Sequence, residues 1–347
     1  MNPLIVDPLG DPRWASLITS FPSDVFHSPA WLRALSATYG FEPKAAILLD
    51  EAGQPVAGLP FCVIEGPPAK RVSCPPFSDY CDPIVSDALQ WRQLLASLTA
   101  HDCQVTVRCL HNDIPVEEGE LSVVNTAAWH GVDLTPPVDE LWSGLHSSAR
   151  RAIRKAQREG IEIRRAAGPD DLRAFFELHL RVRKYKYRLL AQPYAFFENL
   201  WAEFVVPGNG SIELAIADGT VIGGVFFLEW QDRIYYKFNA SDPAAAAVRP
   251  NDLVIWNAIV AAKERGLNRL DFGLSDLDQD GLVRYKRKYA SEEKTITFLR
   301  RDFPAADPTS AARIRATLPV LTELLTGDEI PDSITERGGE LLYEFFA

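Results

Sequence analysis

Three clusters of cations in this sequence have the spacing to hold an anion. The first, "HSSARRAIRKAQREG", places Arg150, Arg151, Arg154, Lys155 and Arg158 mostly on one side of a helix that Gly160 would terminate. The second, "RVRKYKYR" from 181 to 188, closes a helix with Arg188 at its end, where cations complement the negative pole of the helix dipole. The third, "GLVRYKRKYA", interleaves Arg284, Lys286, Arg287 and Lys288 with Tyr285 and Tyr289. A solvated face accounts for the first cluster and dipole complementation for the second as readily as an anion does. The third fits a solvated face less well, because its two tyrosines fall on the same side as the charges, and aromatic rings among cations suit a bound anion or a planar group.

Other candidates lie nearby in sequence. Strict alternation in the strand "RIYYKFNAS" predicts Tyr236 and Phe238 on one face and Tyr235, Lys237 and Asn239 on the other. The loop "DPAAAAVRPND" leads into a helix near Pro250, and a helix N-terminus with Asn251 beside it is a natural anion site. Asp79 in "FSDYCD" and Asp276 in "LSDLD" are candidate proton acceptors, with a turn or cap as the alternative role for Asp79. Nucleophile elbows, Walker loops and dinucleotide fingerprints are absent from the sequence. His27, His146 and His179 fall on helices or at their starts and read as structural. The five cysteines show no CxxC pair and no histidine at zinc-ligand spacing, so they read as reduced structural thiols and no metal site is expected.

These side chains need a large scaffold, and 347 residues with 47% hydrophobic content supply one, with two domains as the expectation. A net charge of -11 argues against a duplex-DNA partner, which needs a basic face. No apolar run approaches a membrane span, and the N-terminal residues lack a signal-peptide core, so a cytoplasmic location is expected. Short helices over 11–40 precede apolar strands, a helix near 87–101 and the strand "CQVTVRCL". After Pro136–Pro137 the pattern restarts, with helices near 139–159, 169–188 and 193–205, three strands, a helix over 250–265 and the strand "NRLDFG". The hairpins "AAILLDEAGQPVAGLPFCVIE" and "IELAIADGTVIGGVFFLEW" echo one another, which suggests two copies of one α/β unit, with the general likeness of any two hairpins as the alternative. The expected division is 1–136, 137–305 and a helical C-terminal extension over 306–347.

In chain order, "VFHSPAWLRAL", "GLPF", "PPFSDYCDPI", "SSARRAIRKAQREGIEI", "YYKFNAS", "AIVAAKERGLNRLDFG" and "GLVRYKRKYA" resemble landmarks of the FemAB-type peptidoglycan aminoacyltransferases and their GNAT-like acetyltransferase relatives. The likeness covers about residues 10–303. It implies an α/β (α+β) fold: a tandem pair of GNAT-like domains with mixed, mostly antiparallel sheets flanked by helices. It also implies transfer of an aminoacyl group from aminoacyl-tRNA to a cell-wall precursor peptide, with no bound cofactor. Tyr285 and Lys286 match that family's aromatic-lysine pair at the transfer site, and Tyr236 and Phe238 match aromatics flanking the same channel. Arg188 is the nearest match to a residue that grips the precursor's phosphates, while a second phosphate-contacting lysine of some members falls near Leu35, with only Arg33 close by.

The corresponding chemistry is aminolysis of an activated ester or thioester, with Lys286 expected at the developing oxyanion and Tyr285 shaping the pocket. Acyl-CoA is the alternative donor, acting on a small amine, although the loop before Pro250 has no glycine to wrap a pyrophosphate. A non-catalytic anion-binding module of the same fold is a third reading. Contact with a membrane is expected only at its surface, through a lipid-linked substrate.

Overall fold

The computed structural model describes residues 3–304 and 307–347, so the expected boundary at 305/306 falls outside the described residues. The chain forms two compact units. The first comprises Met1–Ala127, Thr295–Leu321 and Glu344–Ala347, and the second Ala128–Lys294 and Thr322–Tyr343.

Unit 1 runs through β1 (Leu4–Val6), α1 (Pro12–Ser20), α2 (Pro29–Tyr39), β2 (Pro43–Leu49), β3 (Pro55–Ile64), β4 (Arg71–Cys74), α3 (Ala88–Thr99), β5 (Gln104–Cys109), α4 (Ile114–Glu118) and the first half of β6 (Ser122–Asp133). Local signals set these boundaries. Ser28 caps α2 by accepting from the Trp31 amide, Pro29 opens it, and Gly40 ends it at φ 70°. Strands β1 to β4 are antiparallel neighbours, whereas β4 and β5 are parallel and joined by the α3 crossover. Trp14, Trp31, Phe61 and Trp91 are fully buried around this sheet.

Unit 2 repeats the plan. It holds α5 (Val138–Gly144), α6 (Ser147–Arg158), β7 (Glu162–Arg165), α7 (Pro169–Arg181), α8 (Tyr194–Leu200), β8 (Gly210–Ala217), β9 (Thr220–Trp230), β10 (Arg233–Ser241), α9 (Pro250–Glu264), β11 (Arg269–Asp276) and α10 (Asp280–Arg287). Strands β7 to β10 are antiparallel, and α9 carries the chain from β10 to a parallel β11. The order β7-β8-β9-β10-β11 matches β1-β2-β3-β4-β5. The predicted helix over 139–159 breaks at Leu145–His146, where His146 accepts from the Ser148 amide and starts α6. Helices α7 and α8 each continue into a single π turn, Val182–Lys186 and Trp201–Val205.

The sixth strand of each unit comes from elsewhere in the chain. β12 (Glu292–Arg301) pairs with β5 to complete unit 1, and β6 lies beside β11 in unit 2. The C-terminal helices α11 (Pro308–Leu325) and α12 (Asp332–Leu342) are likewise shared out, with 308–321 in unit 1 and 322–343 in unit 2. The region after 306 is helical, but it is built into the two bodies instead of extending from them.

Candidate active site

The residues of the third cation cluster sit at a wedge in the sheet of unit 2. The parallel pairing of β10 with β11 runs only from Arg233 to Tyr235, opposite Arg269 to Asp271, and the strands part beyond it. Lys286 of α10 fills the wedge. Its side chain is 2% exposed, and Nζ donates to the carbonyls of Leu274 (2.8 Å) and Gly273 (3.3 Å) and lies 5.9 Å from the centre of the Tyr236 ring. Gly273 has φ 63°, a left-handed conformation that breaks the pleat of β11 where these carbonyls meet the ammonium. The Asp271 carboxylate fixes this turn by accepting from the Gly273 amide at 2.6 Å.

Aromatic rings line the wedge. Tyr236 meets Phe272 at 5.4 Å, Phe272 meets Tyr289 at 6.0 Å, and Tyr289 meets Tyr285 at 5.7 Å. Tyr289 donates to the Asp252 carboxylate at 2.5 Å. Asp252 stands in the first turn of α9, and burial raises its pKa above the ordinary range, opposed by the Tyr289 hydrogen bond and by Lys288 and Arg249. Burial also raises the Tyr236, Tyr285 and Tyr289 hydroxyls, keeping all three protonated. Asn251 donates to Asn239, and Asn239 donates to the Tyr236 hydroxyl. A methyl group at Gly223 would stand 2.7 Å from the Asn251 side-chain oxygen, so a larger residue there would displace the Asn251 side chain.

The Asn239–Tyr236 contact corrects the predicted alternation of β10. A bulge between Tyr236 and Phe238 puts Tyr236 opposite Phe227 but Phe238 opposite Phe226, so the two aromatics lie on opposite faces. Phe238 packs instead on Phe197 (4.9 Å) and His179 (5.6 Å), away from the wedge, and the Lys237 ammonium lies 5.7 Å from the Phe238 ring. The bulge turns Asn239 to the Tyr236 side.

The other predicted residues divide. Lys288 lies over the Tyr285 ring at 5.0 Å, and its carbonyl accepts from the His146 amide at 2.9 Å, which joins the start of α6 to the end of α10. Arg284 is exposed and donates to Asp280 of its own helix. The Arg150 guanidinium donates to the carbonyls of Ser143 (2.5 Å), Leu145 (2.8 Å) and Trp142 (3.4 Å) and so caps α5. Arg151 contacts Ser147, Arg154 stacks on Trp142 at 5.3 Å, and Lys155 is half-buried. Arg188 is likewise engaged, by both oxygens of Asp328 (2.7 and 3.1 Å) and by the Thr326 carbonyl.

Within the second cluster two cations have carboxylate partners, Arg188 as above and Lys184, while Arg183 donates to the Leu190 carbonyl at 3.0 Å. Lys184, fully buried, pairs with Asp332 at 2.8 Å, and Arg173 forks onto Glu336 at 2.7 and 2.8 Å. Asp276 accepts from Gln279 in the turn entering α10. Asp79 lies half-buried in a loop of unit 1. Also in unit 1, Asp24, His27 and Cys81 are the group of possible metal-ligating atoms found among the described residues. Both His27 ring nitrogens already have partners there, with Nδ1 accepting from the Asp24 amide and Nε2 facing the Asp82 carbonyl at 2.8 Å.

Two residues of this region escaped the sequence reading. Asp252 adjoins Asn251, and its place in the first turn of a predicted helix was the available signal. His130 lies in β6, a strand that the sequence reading above does not include.

Unit 2 thus combines a mixed sheet, a splayed parallel pair and a crossover helix. Residues 144–287 match the acetyltransferase (GNAT) domain family, and unit 2 therefore carries an acyltransferase domain of that kind. The structure is similar to the crystal structure of FemX, with 14% identity, TM-score 0.68, and coverage of 86% of this chain and 97% of that one. It is also similar to the C-terminal domain of a putative lysylphosphatidylglycerol synthetase from Agrobacterium fabrum (11% identity, TM-score 0.58, covering 90% and 96%). A third likeness is to a tandem GNAT protein from the clavulanic acid biosynthesis pathway (12%, 0.55, covering 88% and 99%). These likenesses establish a tandem GNAT fold for the chain. No curated protein matches the sequence. No helix among the described residues is long and apolar enough to cross a membrane.

Proposed function

We propose that the protein transfers an aminoacyl group from an aminoacyl-tRNA to an amine, with Lys286 at the carbonyl under attack and a cell-wall precursor peptide as acceptor. The observation that carries this reading is the Lys286 ammonium, buried at the splay of β10 and β11 with the Tyr236 ring 5.9 Å away. In aminolysis the amine nitrogen bonds to the ester carbon, the carbonyl oxygen gains negative charge, and the ribose oxygen leaves with a proton. A cation fixed in a low-dielectric pocket stabilises that oxygen without reorganising. The segment between β10 and α9 supports the tRNA donor, because Pro243–Val248 coils into a glycine-free 3-10 turn capped by Asp242. FemX is the neighbour of highest TM-score among those described above.

An acyl-CoA donor is the second reading. It is favoured by α9 itself, fifteen residues long, whose first turn has no side-chain cap and leaves its amides for an anion. Arg188 is held by Asp328 in an exposed pair, which a precursor phosphate would have to displace. The test incubates purified protein with labelled aminoacyl-tRNA or acetyl-CoA and a panel of amines that includes a peptidoglycan precursor. Transfer from aminoacyl-tRNA, reduced at least about 100-fold in Lys286→Met with the fold intact by circular dichroism, is the expected result. Transfer from acetyl-CoA alone overturns the donor, and full activity in Lys286→Met overturns the site.

A further inference from the structure

His130 on β6 is completely buried, and neither of its ring nitrogens has a hydrogen-bond partner. Buried polar atoms are nearly always paired, so an imidazole left this way requires a reason. Its Nε2 stands 3.4 Å from a carboxylate oxygen of Glu293, a contact without hydrogen-bond alignment. Glu293, at the start of β12, is gripped in a fork by Arg287 of α10, with Nε at 2.7 Å and Nη2 at 2.5 Å. Arg287 directly follows Lys286. The fork is about half exposed and alone would hold α10 weakly. The buried ring faces its Glu293 carboxylate from the interior of unit 2.

The charged groups bearing on this ring come from two elements, Glu293 on β12 and Lys286 and Arg287 on α10. Burial is the largest influence and lowers the imidazole pKa, both cations lower it further, and Glu293 opposes them. At neutral pH the ring is therefore uncharged, and both oxygens of Glu293 serve Arg287.

We propose that His130 is a positioning residue for Lys286: while neutral it leaves Glu293 to Arg287 and so fixes the turn of α10 that carries the lysine, and on protonation it releases that turn. An imidazolium competes with Arg287 for Glu293 and places a third cation beside Lys286 and Arg287. The inference rests on the reading of Lys286 as the cation of the transfer site, but its first test does not depend on activity.

That test titrates the imidazole Cε1–H resonances of the whole protein by NMR, with His130→Gln identifying the signal among six histidines. The His130 midpoint is expected below the ordinary histidine value of about 6.5, to rise in Lys286→Met, and to fall further in Glu293→Gln. Where Lys286→Met fails to fold, Arg287→Met at an exposed position is expected to move the midpoint upward in the same way. A midpoint at the ordinary value, or one that none of these substitutions moves, overturns the proposal.

In the transfer assay, kcat of the wild type is expected to fall on the acid side with the His130 midpoint. His130→Gln is expected to lose that limb while KM changes less than about threefold, and Glu293→Gln to move the limb to lower pH. An acid limb unchanged in both variants also overturns the proposal. Coupled titration without any transfer activity would instead defeat the acyl-transfer reading and leave the coupling standing.

Discussion

At the scale of single residues, the site depends on buried polar groups whose partners are few. Tyr289 supplies the hydrogen bond to the Asp252 carboxylate recorded in the structure, and both side chains are buried. Removing the hydroxyl leaves a carboxylate with raised pKa in an apolar setting, a larger loss than the net value of the hydrogen bond itself. Tyr289→Phe is therefore expected to lower stability by about 2–3 kcal/mol in urea denaturation, and Asp252→Asn in the same background to recover part of the loss by removing the stranded charge. Equal stability of Tyr289→Phe and wild type would show that water reaches Asp252. The cation-aromatic cluster around Lys286 was visible in the sequence because its residues adjoin one another on one short helix. The Tyr236–Asn239 pair was misplaced because a one-residue bulge inverts the face of everything after it, and no residue of "YYKFNAS" is a glycine that would announce one.

At the scale of elements, helix ends were the most legible feature. Ser28, Pro29 and Gly40 act locally and need no tertiary context. The use made of a charged helix end was not legible: "RVRKYKYR" has the composition of an anion site, yet its partners Asp328 and Asp332 lie about 140 residues further on. The same helix carries His179, enclosed by Phe197 and Phe238 with Nε2 2.9 Å from the Gln192 amide oxygen. Burial, helped by Arg183, holds this imidazole down at about 3, against an ordinary value of 6.5. Because the folded-state pKa is the lower one, the ring has no effect on stability above pH 6.5. As pH falls below that value the unfolded chain takes up a proton that the fold refuses. Stability is then lost at up to about 1.4 kcal/mol per pH unit until the folded ring itself titrates. His179→Leu is expected to flatten the slope of stability against pH between about 6 and 4 relative to wild type. Parallel curves for the two proteins would show that His179 is charged in the fold.

At the scale of the whole molecule, the repeated β4–α3–β5 and β10–α9–β11 units were foreshadowed by the two echoing hairpins, but the route of the chain was not. A break at Pro136–Pro137 follows from composition, because prolines end regular structure whether or not a domain ends there. Compactness places the division at Ala127–Ala128, and it assigns β6 residues and the segment 322–343 to unit 2. The difference has a measurable consequence. A fragment cut at 137–305 lacks Val132 and Leu134, both buried in the core of unit 2 around Phe227, Ile255 and Leu270, and it loses the bond from the Leu134 amide to the Asn268 carbonyl. It also lacks Asp332 and Glu336, leaving the buried Lys184 without its carboxylate and Arg173 without its fork. Leaving out buried side chains of the core costs several kcal/mol, a large part of the roughly 5–15 kcal/mol by which domains are stable. Residues 137–305 alone are therefore expected to unfold without a cooperative transition and to bind a hydrophobic dye at neutral pH. A fragment spanning 128–347 keeps every residue of unit 2 and is expected to show a cooperative transition in urea. A sharp transition from the shorter fragment would mean that β6 and the segment 322–343 decorate unit 2 without holding it together.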